Sequence, residues 1–251
     1  MAAESQERTA QLHFSRFEFK YVLDHALRTS VEAELQHFVE LDPYVARQPN
    51  HQYFVRSLYW DDAAGSAFHQ KMDGMLARSK FRLRTYGRTL ADPAPWFLEI
   101  KGRHNQLVWK HRTPIQGDFD HTTRGYELSR LLIARAAPGP VRDQFEFALY
   151  RHQIAPIVLV DYLRRPYVSK FDPEFRLTFD SDLSAAAATT LFPTVSRPRA
   201  LLRGSTVMEV KFRHHVPAWF HRILQAYELR RQSISKICTG MQALGLHADF
   251  H

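Results

Sequence analysis

Charge recurs at every second residue in six separate stretches of this chain, and that alternation restricts its fold more than any other feature. Arg16, Glu18 and Lys20 interleave with Phe17, Phe19 and Tyr21, and Arg78, Lys80, Arg82 and Arg84 interleave with Phe81 and Leu83. Glu99 and Lys101 flank Ile100, and Lys110 and Arg112 form a further pair. Arg176, Thr178 and Asp180 interleave with Leu177 and Phe179, and Glu209, Lys211 and Arg213 with Val210 and Phe212. Residues two apart on a strand share a face, so each stretch predicts a strand with one apolar and one charged side. One such strand is ordinarily a solvated face over a core. Six of them, built almost wholly of Arg, Lys and Glu, predict charged faces that look inward. The expected fold is therefore α+β: a closed eight-stranded antiparallel β-barrel with helices packed on its apolar outside and a C-terminal helical segment.

The order of elements agrees with an antiparallel domain. Strands are expected from about Phe14 to Tyr21, Gln52 to Trp60, Ala77 to Tyr86, Trp96 to Arg103, Leu107 to Ile115, Pro156 to Leu163, Arg176 to Asp180 and Thr206 to Arg213. Helical spacing is seen from Thr29 to Val39 behind a Thr29-Ser30 cap, around Ala64 to Met72, and in Tyr126 to Ala136 and Val141 to His152, which Pro138-Gly139-Pro140 divides. Pro217 to Leu244 reads as one or two helices, and Ala185 to Ala188 as a loop or a turn of helix. Helices interrupt the strands rather than alternate with them, which argues against a doubly wound sheet. We read 1–12 as a flexible N-terminus and 13–251 as a single domain. No apolar run reaches the length of a membrane span and the start has no secretory leader, so the expected location is the cytoplasm, with any membrane association supplied by a partner protein. Cys238 is the sole cysteine and is expected on the packed face of the last helix.

A lumen crowded with cations is unstable without partners, because each buried charge costs several kcal/mol unless it is paired or meets an anion. The net charge of +8 points the same way, toward a polyanion. Arg grips phosphate through its planar fork and Lys as a compact charge. Glu18, Glu99, Glu209 and Asp180 can pair with neighbouring cations, or can give the hard oxygen ligands that Mg²⁺ or Mn²⁺ takes beside phosphate oxygens. Adjacent His214 and His215 point to opposite faces of a strand, and His104 and His111 have no partner spacing, so all four are read as surface or rim. Ser233 and Ser235 beside Lys236 lack the partners of acyl chemistry, and Ser235 is read as a phosphate hydrogen-bond donor. Trp60, Trp96, Trp109 and Trp219 are expected outside the barrel, under helices. A nucleic-acid partner is disfavoured, since its basic residues would line an exposed groove rather than alternate on strands.

Taken in order, Arg16-Phe17-Glu18-Phe19-Lys20-Tyr21, Ser57-Leu58-Tyr59-Trp60-Asp61, Lys80-Phe81-Arg82-Leu83-Arg84-Thr85-Tyr86-Gly87 and Leu98-Glu99-Ile100-Lys101 resemble the VTC-type polyphosphate polymerase domain of the triphosphate tunnel metalloenzymes. The likeness continues through Tyr162-Leu163-Arg164-Arg165-Pro166-Tyr167, Arg176-Leu177-Thr178-Phe179-Asp180, Met208-Glu209-Val210-Lys211-Phe212 and Ser235-Lys236, with Ile237 where an aromatic is expected. It implies a tunnel that binds ATP or another triphosphate and inorganic polyphosphate, and that transfers the γ-phosphoryl of ATP to a polyphosphate chain with a divalent metal, Mn²⁺ or Mg²⁺. Lys20, Arg82, Arg84, Lys101, Arg165, Arg176, Lys211 and Lys236 fall on its phosphate-binding positions, and Glu209 on its metal-binding glutamate. Among these, Lys20, Arg82, Arg84, Lys101, Arg176 and Lys211 are assigned to catalysis. Alternation adds Arg16, Lys80, Lys110 and Arg112 to the phosphate contacts, with Ser235, and Glu18 and Glu99 to the metal. The alternatives are a metal-dependent triphosphatase or polyphosphatase, and a non-catalytic polyphosphate-binding domain.

Overall fold

The computed structural model describes residues 16–117 and 123–249. The N-terminal segment 1–12 and the expected start of the first strand at Phe14 lie outside them. The strands are β1 (Arg16–Asp24), β2 (Val39–Leu41), β3 (Tyr53–Asp61), β4 (Ala77–Thr85), β5 (Trp96–His104), β6 (Leu107–Ile115), β7 (Ala155–Ser169), β8 (Arg176–Ala187), β9 (Arg199–Ala200) and β10 (Ser205–Phe212). The helices, numbered in chain order, are α1 (His25–Leu35), α2 (Pro43–Ala46), α3 (Ser66–Met72), α4 (Gly125–Arg135), α5 (Pro140–Arg151), α6 (Ala218–Ala226) and α7 (Lys236–Leu244). Among the described residues no helix is long and apolar enough to cross a membrane.

All ten strands join one antiparallel sheet in the order β2-β7-β3-β4-β5-β6-β1-β10-β8-β9, with β7 also paired to β8. That last pairing brings the order round on itself. It runs from Val158 opposite Ala187 to Val168 opposite Arg176. The link between β6 and β1 is short, Arg16 opposite Val108 and Phe17 opposite Leu107.

Two apolar layers cover the outside. Leu58, Trp60, Leu83, Leu98 and Ile100 pack under α4 and α5 with Leu128, Leu132 and Phe145. The Trp60 indole N–H donates to Ser129 Oγ at 2.9 Å, which satisfies its polar edge. Tyr21, Leu23, Leu177, Phe179, Met208 and Val210 pack under α1 and α6 with Val31, Leu35, Phe220 and Ile223. Trp96 and Trp109 lie against the first layer and Trp219 against the second.

A third cluster sits on the opposite face of the sheet. Ile237, Cys238 and Met241 of α7 contact Val55, Val158, Val160, Tyr162, Leu183, Ala185 and Val207, all from the inward-looking side of β3, β7, β8 and β10. The helix is therefore inside the ring, not over it. A Cβ on Gly240 would come within 2.9 Å of the Ala185 Cβ, so helix and sheet touch backbone to methyl. This accounts for Ala185 in the alanine run, which continues β8 to Ala187 instead of forming a loop or helical turn: its small side chain makes room for the helix.

Other boundaries moved for local reasons. The first helix begins at His25, four residues earlier than Thr29, because Asp24 caps it by accepting from the Leu27 amide at 2.8 Å. Strand β7 runs through Pro166, which lowers the strand signal, to Ser169; its pairing with β8 and with β2 continues past the proline. Between α6 and α7 the chain crosses the sheet interior, and the Gln232 amide donates to the Lys20 carbonyl at 2.8 Å.

Candidate functional site

The inward faces of the strands and the segment before α7 enclose a cavity of about 530 Å³. Strand parity decides what reaches it. From β1 come Arg16, Glu18 and Lys20; from β4, Arg78, Lys80, Arg82 and Arg84; from β5 and β6, Lys101, Arg103 and Lys110. Strand β7 supplies Tyr162 and Arg164, β10 supplies Glu209 and Lys211, and the C-terminal part supplies Arg231, Ser235 and Lys236. Among the described residues fourteen Lys and Arg line the cavity, against Glu18 and Glu209 in its wall and Glu99 and Asp180 behind them. The surplus exceeds the net charge of the entire chain.

Carboxylates organise the cations into hubs. Glu99 is fully buried; its Oε2 accepts from Arg82 Nε at 2.6 Å and lies 3.8 Å from Arg84 Nη1, and its Oε1 accepts from Lys110 at 3.1 Å. The two guanidiniums are fixed further by neutral oxygens, Arg82 by Tyr59 Oη at 3.2 Å, and Arg84 by Ser57 Oγ at 3.1 Å and Tyr162 Oη at 3.0 Å. Glu18 takes Lys101 at 2.8 and 2.9 Å and also pairs with Lys20. Glu209 takes Lys211 at 2.5 Å and lies 3.6 Å from Lys20 and 3.9 Å from Lys236. Asp180, without exposure, holds Arg164 through two bonds of 2.6 and 2.7 Å and Lys236 at 2.6 Å.

Protonation follows from this crowding. Burial pushes the Glu18 carboxyl up, as does Glu209, but Lys101, Lys20 and Lys211 outweigh both and hold it below the ordinary carboxylate range. Glu99 is likewise held down against burial by Arg82, Arg84 and Lys110. Burial pulls Lys211 down to about 8 despite Glu209, and Lys110 to about 8 despite Glu99. Burial also works against Lys236, yet Asp180, Tyr162 and Glu209 raise it above its ordinary value. The acids stay ionised, and Lys110 and Lys211 are depressed by burial although each has a carboxylate beside it.

The cavity brings together Arg16, Glu18, Lys20, Lys80, Arg82, Arg84, Lys101, Lys110, Glu209, Lys211, Ser235 and Lys236. Three expected phosphate residues stand elsewhere. Arg165 is turned to the outer face, where it bonds Glu32 at 2.8 Å and the Asn50 carbonyl at 3.1 Å. Its neighbour Arg164 points inward in its place, as strand alternation requires. Arg176 is exposed at the start of β8, outside the cavity lining. Arg112 lies over the Phe97 ring at 4.6 Å. Glu99 is a hub behind the wall, not a lining residue. The residues missed from sequence are Arg164, Tyr59, Tyr162, Lys71, Arg103 and Arg231. Tyr59, Tyr162 and Arg103 share the parity of inward neighbours within the expected strands, and Arg164 does once β7 is extended; Lys71 and Arg231 lie on α3 and in a coil, where strand periodicity says nothing.

Among the described residues no three of His, Cys, Asp and Glu come together as a metal site. Glu18 and Glu209 nonetheless fit a hard divalent ion that keeps most of its ligands from phosphate and water, since both carboxylates face the cavity and repel each other across it. Glu99 does not fit, because it is fully buried behind the wall and does not line the cavity.

Several solved structures are similar to this chain at low identity. The PH1819 protein of Pyrococcus horikoshii is 12% identical, covering 93% of this chain and 99% of its own, with a TM-score of 0.47. A candidate adenylate cyclase of Bacillus halodurans is 13% identical over 88% of this chain and 93% of its own, with a TM-score of 0.49. The capping enzyme triphosphatase of Mimivirus is 7% identical over 91% and 98%, with a TM-score of 0.35. No curated protein sequence matches the chain significantly. The model of the VTC domain matches residues 15–245, which takes in every strand of the ring and α7, and the chain accordingly belongs to the VTC domain family.

Proposed function

We propose that the sheet acts as a closed eight-stranded tunnel in which the γ-phosphoryl of ATP, or of another triphosphate, passes to the end of an inorganic polyphosphate chain. The observation that carries this reading is the convergence of cations from six strands and the C-terminal segment on one cavity, in excess of the carboxylates near it. Phosphoryl transfer asks for positioning and charge neutralisation more than for a covalent nucleophile. A terminal oxygen of the chain attacks the γ-phosphorus, the bond to the β-bridging oxygen breaks, and ADP leaves with its electron pair; no proton has to move.

Arg82 and Arg84 suit the most exacting contacts, because Glu99, Ser57, Tyr59 and Tyr162 fix both guanidiniums before any ligand arrives. Lys20, Lys101 and Lys211 would exchange Glu18 and Glu209 for phosphate oxygens. Lys236 and Arg164, pinned by Asp180, hold the neighbouring phosphate, and Lys80 with Ser235 the next; the Lys80 ammonium already donates to Ser235 Oγ at 3.2 Å. A divalent ion, Mn²⁺ or Mg²⁺, bound by Glu18 and Glu209 would neutralise phosphate oxygens as charge shifts to the leaving group. Each carboxylate of the described cavity is engaged by cations, so none stands free to activate water, which favours a phosphate acceptor over hydrolysis.

Incubating the protein with γ-labelled ATP and Mn²⁺ or Mg²⁺, with and without a short polyphosphate primer, tests the reading. A labelled ladder with ADP is expected. Free phosphate alone would make the protein a hydrolase, and tight polyphosphate binding without turnover would make it a binding module. E209Q should lose metal-dependent turnover while retaining anion binding.

A further inference from the structure

One mouth of the cavity is apolar as well as basic. The end of α3 and the loop after it carry Met72, Met75 and Leu76, exposed by 50%, 51% and 66%. Beside it is the turn from β5 to β6, whose Asn105 amide donates to the Leu76 carbonyl at 2.8 Å. Leu107 follows that turn and is also exposed. The two loops share a recess of about 400 Å³ with Lys71, Arg78, Arg103 and Arg231. Among the described residues these four cations have no carboxylate partner; three of them donate to the loops themselves, Arg78 to the Met75 carbonyl, Arg103 to the Asn105 carbonyl at 2.6 Å and Arg231 to Gln106 Oε1 at 3.3 Å. Asp73 is the one acid in the loop.

A phosphate chain accounts for the cations but has no use for the methionines and leucine. Exposed apolar side chains at the tip of a loop, ringed by unpaired Lys and Arg, match a surface that is anionic outside and hydrocarbon within. We propose that this mouth docks the protein on an anionic lipid bilayer, with Met72, Met75 and Leu76 in the interfacial layer and Lys71, Arg78, Arg103 and Arg231 against lipid phosphates. The guanidinium bonds to loop carbonyls hold the tips in place before contact, so little order is lost on docking. The four cations also line the cavity, whereas Met72, Met75 and Leu76 do not, so the apolar part of the surface can be tested apart from the chemistry proposed there.

Sedimentation with vesicles tests this, using phosphatidylcholine alone or mixed with phosphatidylglycerol, in the presence of saturating tripolyphosphate to occupy the cavity. The protein should pellet with the anionic vesicles and not with the neutral ones. M75S/L76S should partition at least about tenfold less while binding tripolyphosphate as before. Absence of wild-type protein from the anionic pellet would overturn the proposal and point to a soluble acidic partner. Equal sedimentation of the double variant would also overturn it, leaving only the general charge of the cavity.

Discussion

The depressed lysines make ligand binding take up protons. Lys110 and Lys211 are pulled down to about 8 in the ligand-free protein from the ordinary 10.5, because burial and neighbouring arginines outweigh the carboxylates beside them. At pH 8 each is about half neutral, and a triphosphate placed against both would keep them charged, so binding should absorb about one proton in total. Raising the pH from 7 to 9 then costs about tenfold in affinity for each lysine, about 100-fold together, or roughly 2.7 kcal/mol. The ligand-free fold responds in the opposite sense. A folded pKa below the unfolded one means that charging these lysines strains the native state fully below pH 8, and that the strain fades between about 8 and 10.5, so their contribution to stability rises with pH in that window. Calorimetric titration with tripolyphosphate, without divalent metal and in two buffers of different ionisation enthalpy, gives the proton count directly. Lys110→Arg and Lys211→Arg should each remove about half a proton at pH 8. A proton count of zero at pH 8, or affinity that does not change between pH 7 and 9, would refute the reasoning.

Other perturbations test separate parts of the architecture. Glu99→Gln leaves Arg82, Arg84 and Lys110 without their shared counter-charge and should cost about 3–5 kcal/mol in thermal or denaturant unfolding; tripolyphosphate should restore more stability to this variant than to the wild type. Arg164→Ala should weaken tripolyphosphate binding by about tenfold or more, whereas Arg165→Ala should leave it unchanged, a contrast that filter binding can read. Gly240→Ala should destabilise by about 1–3 kcal/mol because its new methyl meets Ala185, and Ala185→Gly should recover most of that loss in the double variant, as measured by denaturant midpoints.

Most of the frame could be read from the chain because its signal has a two-residue period and recurs. Once Arg82 and Arg84 are on one face of β4, Leu83 must be on the other, and the same holds for Glu209 and Lys211 around Val210. Motif and parity differ at one place: the motif points to Arg165, whereas the inward parity set by Val158, Val160 and Tyr162 gives Arg164. The position of α7 was not legible, since Ile237, Cys238 and Met241 would look the same on a helix packed outside. Its trace in the sequence is indirect, a glycine at 240 and Ala185 of β8, and these acquire meaning only when the two are seen to touch. Part of the rim was also beyond reach, because Lys71 and Arg231 come from a helix and a coil that share no period with the strands.

The pairing of β1 with β10 sets a condition on how this protein is made. Phe17 to Asp24 form their long ladder with Ser205 to Phe212. On a ribosome, the first strand is finished long before its neighbour exists, and its row of alternating arginine, glutamate and lysine must wait in water while nearly 200 residues follow. Such a long wait favours slow, late closure, set by the entropy of joining distant segments. The waiting strand is hard to misjoin, however, since Arg16, Glu18 and Lys20 give it a highly hydrated side that resists stacking with the strands of other nascent chains. The residues that await phosphate in the finished protein thus serve as gatekeepers while it is being synthesised.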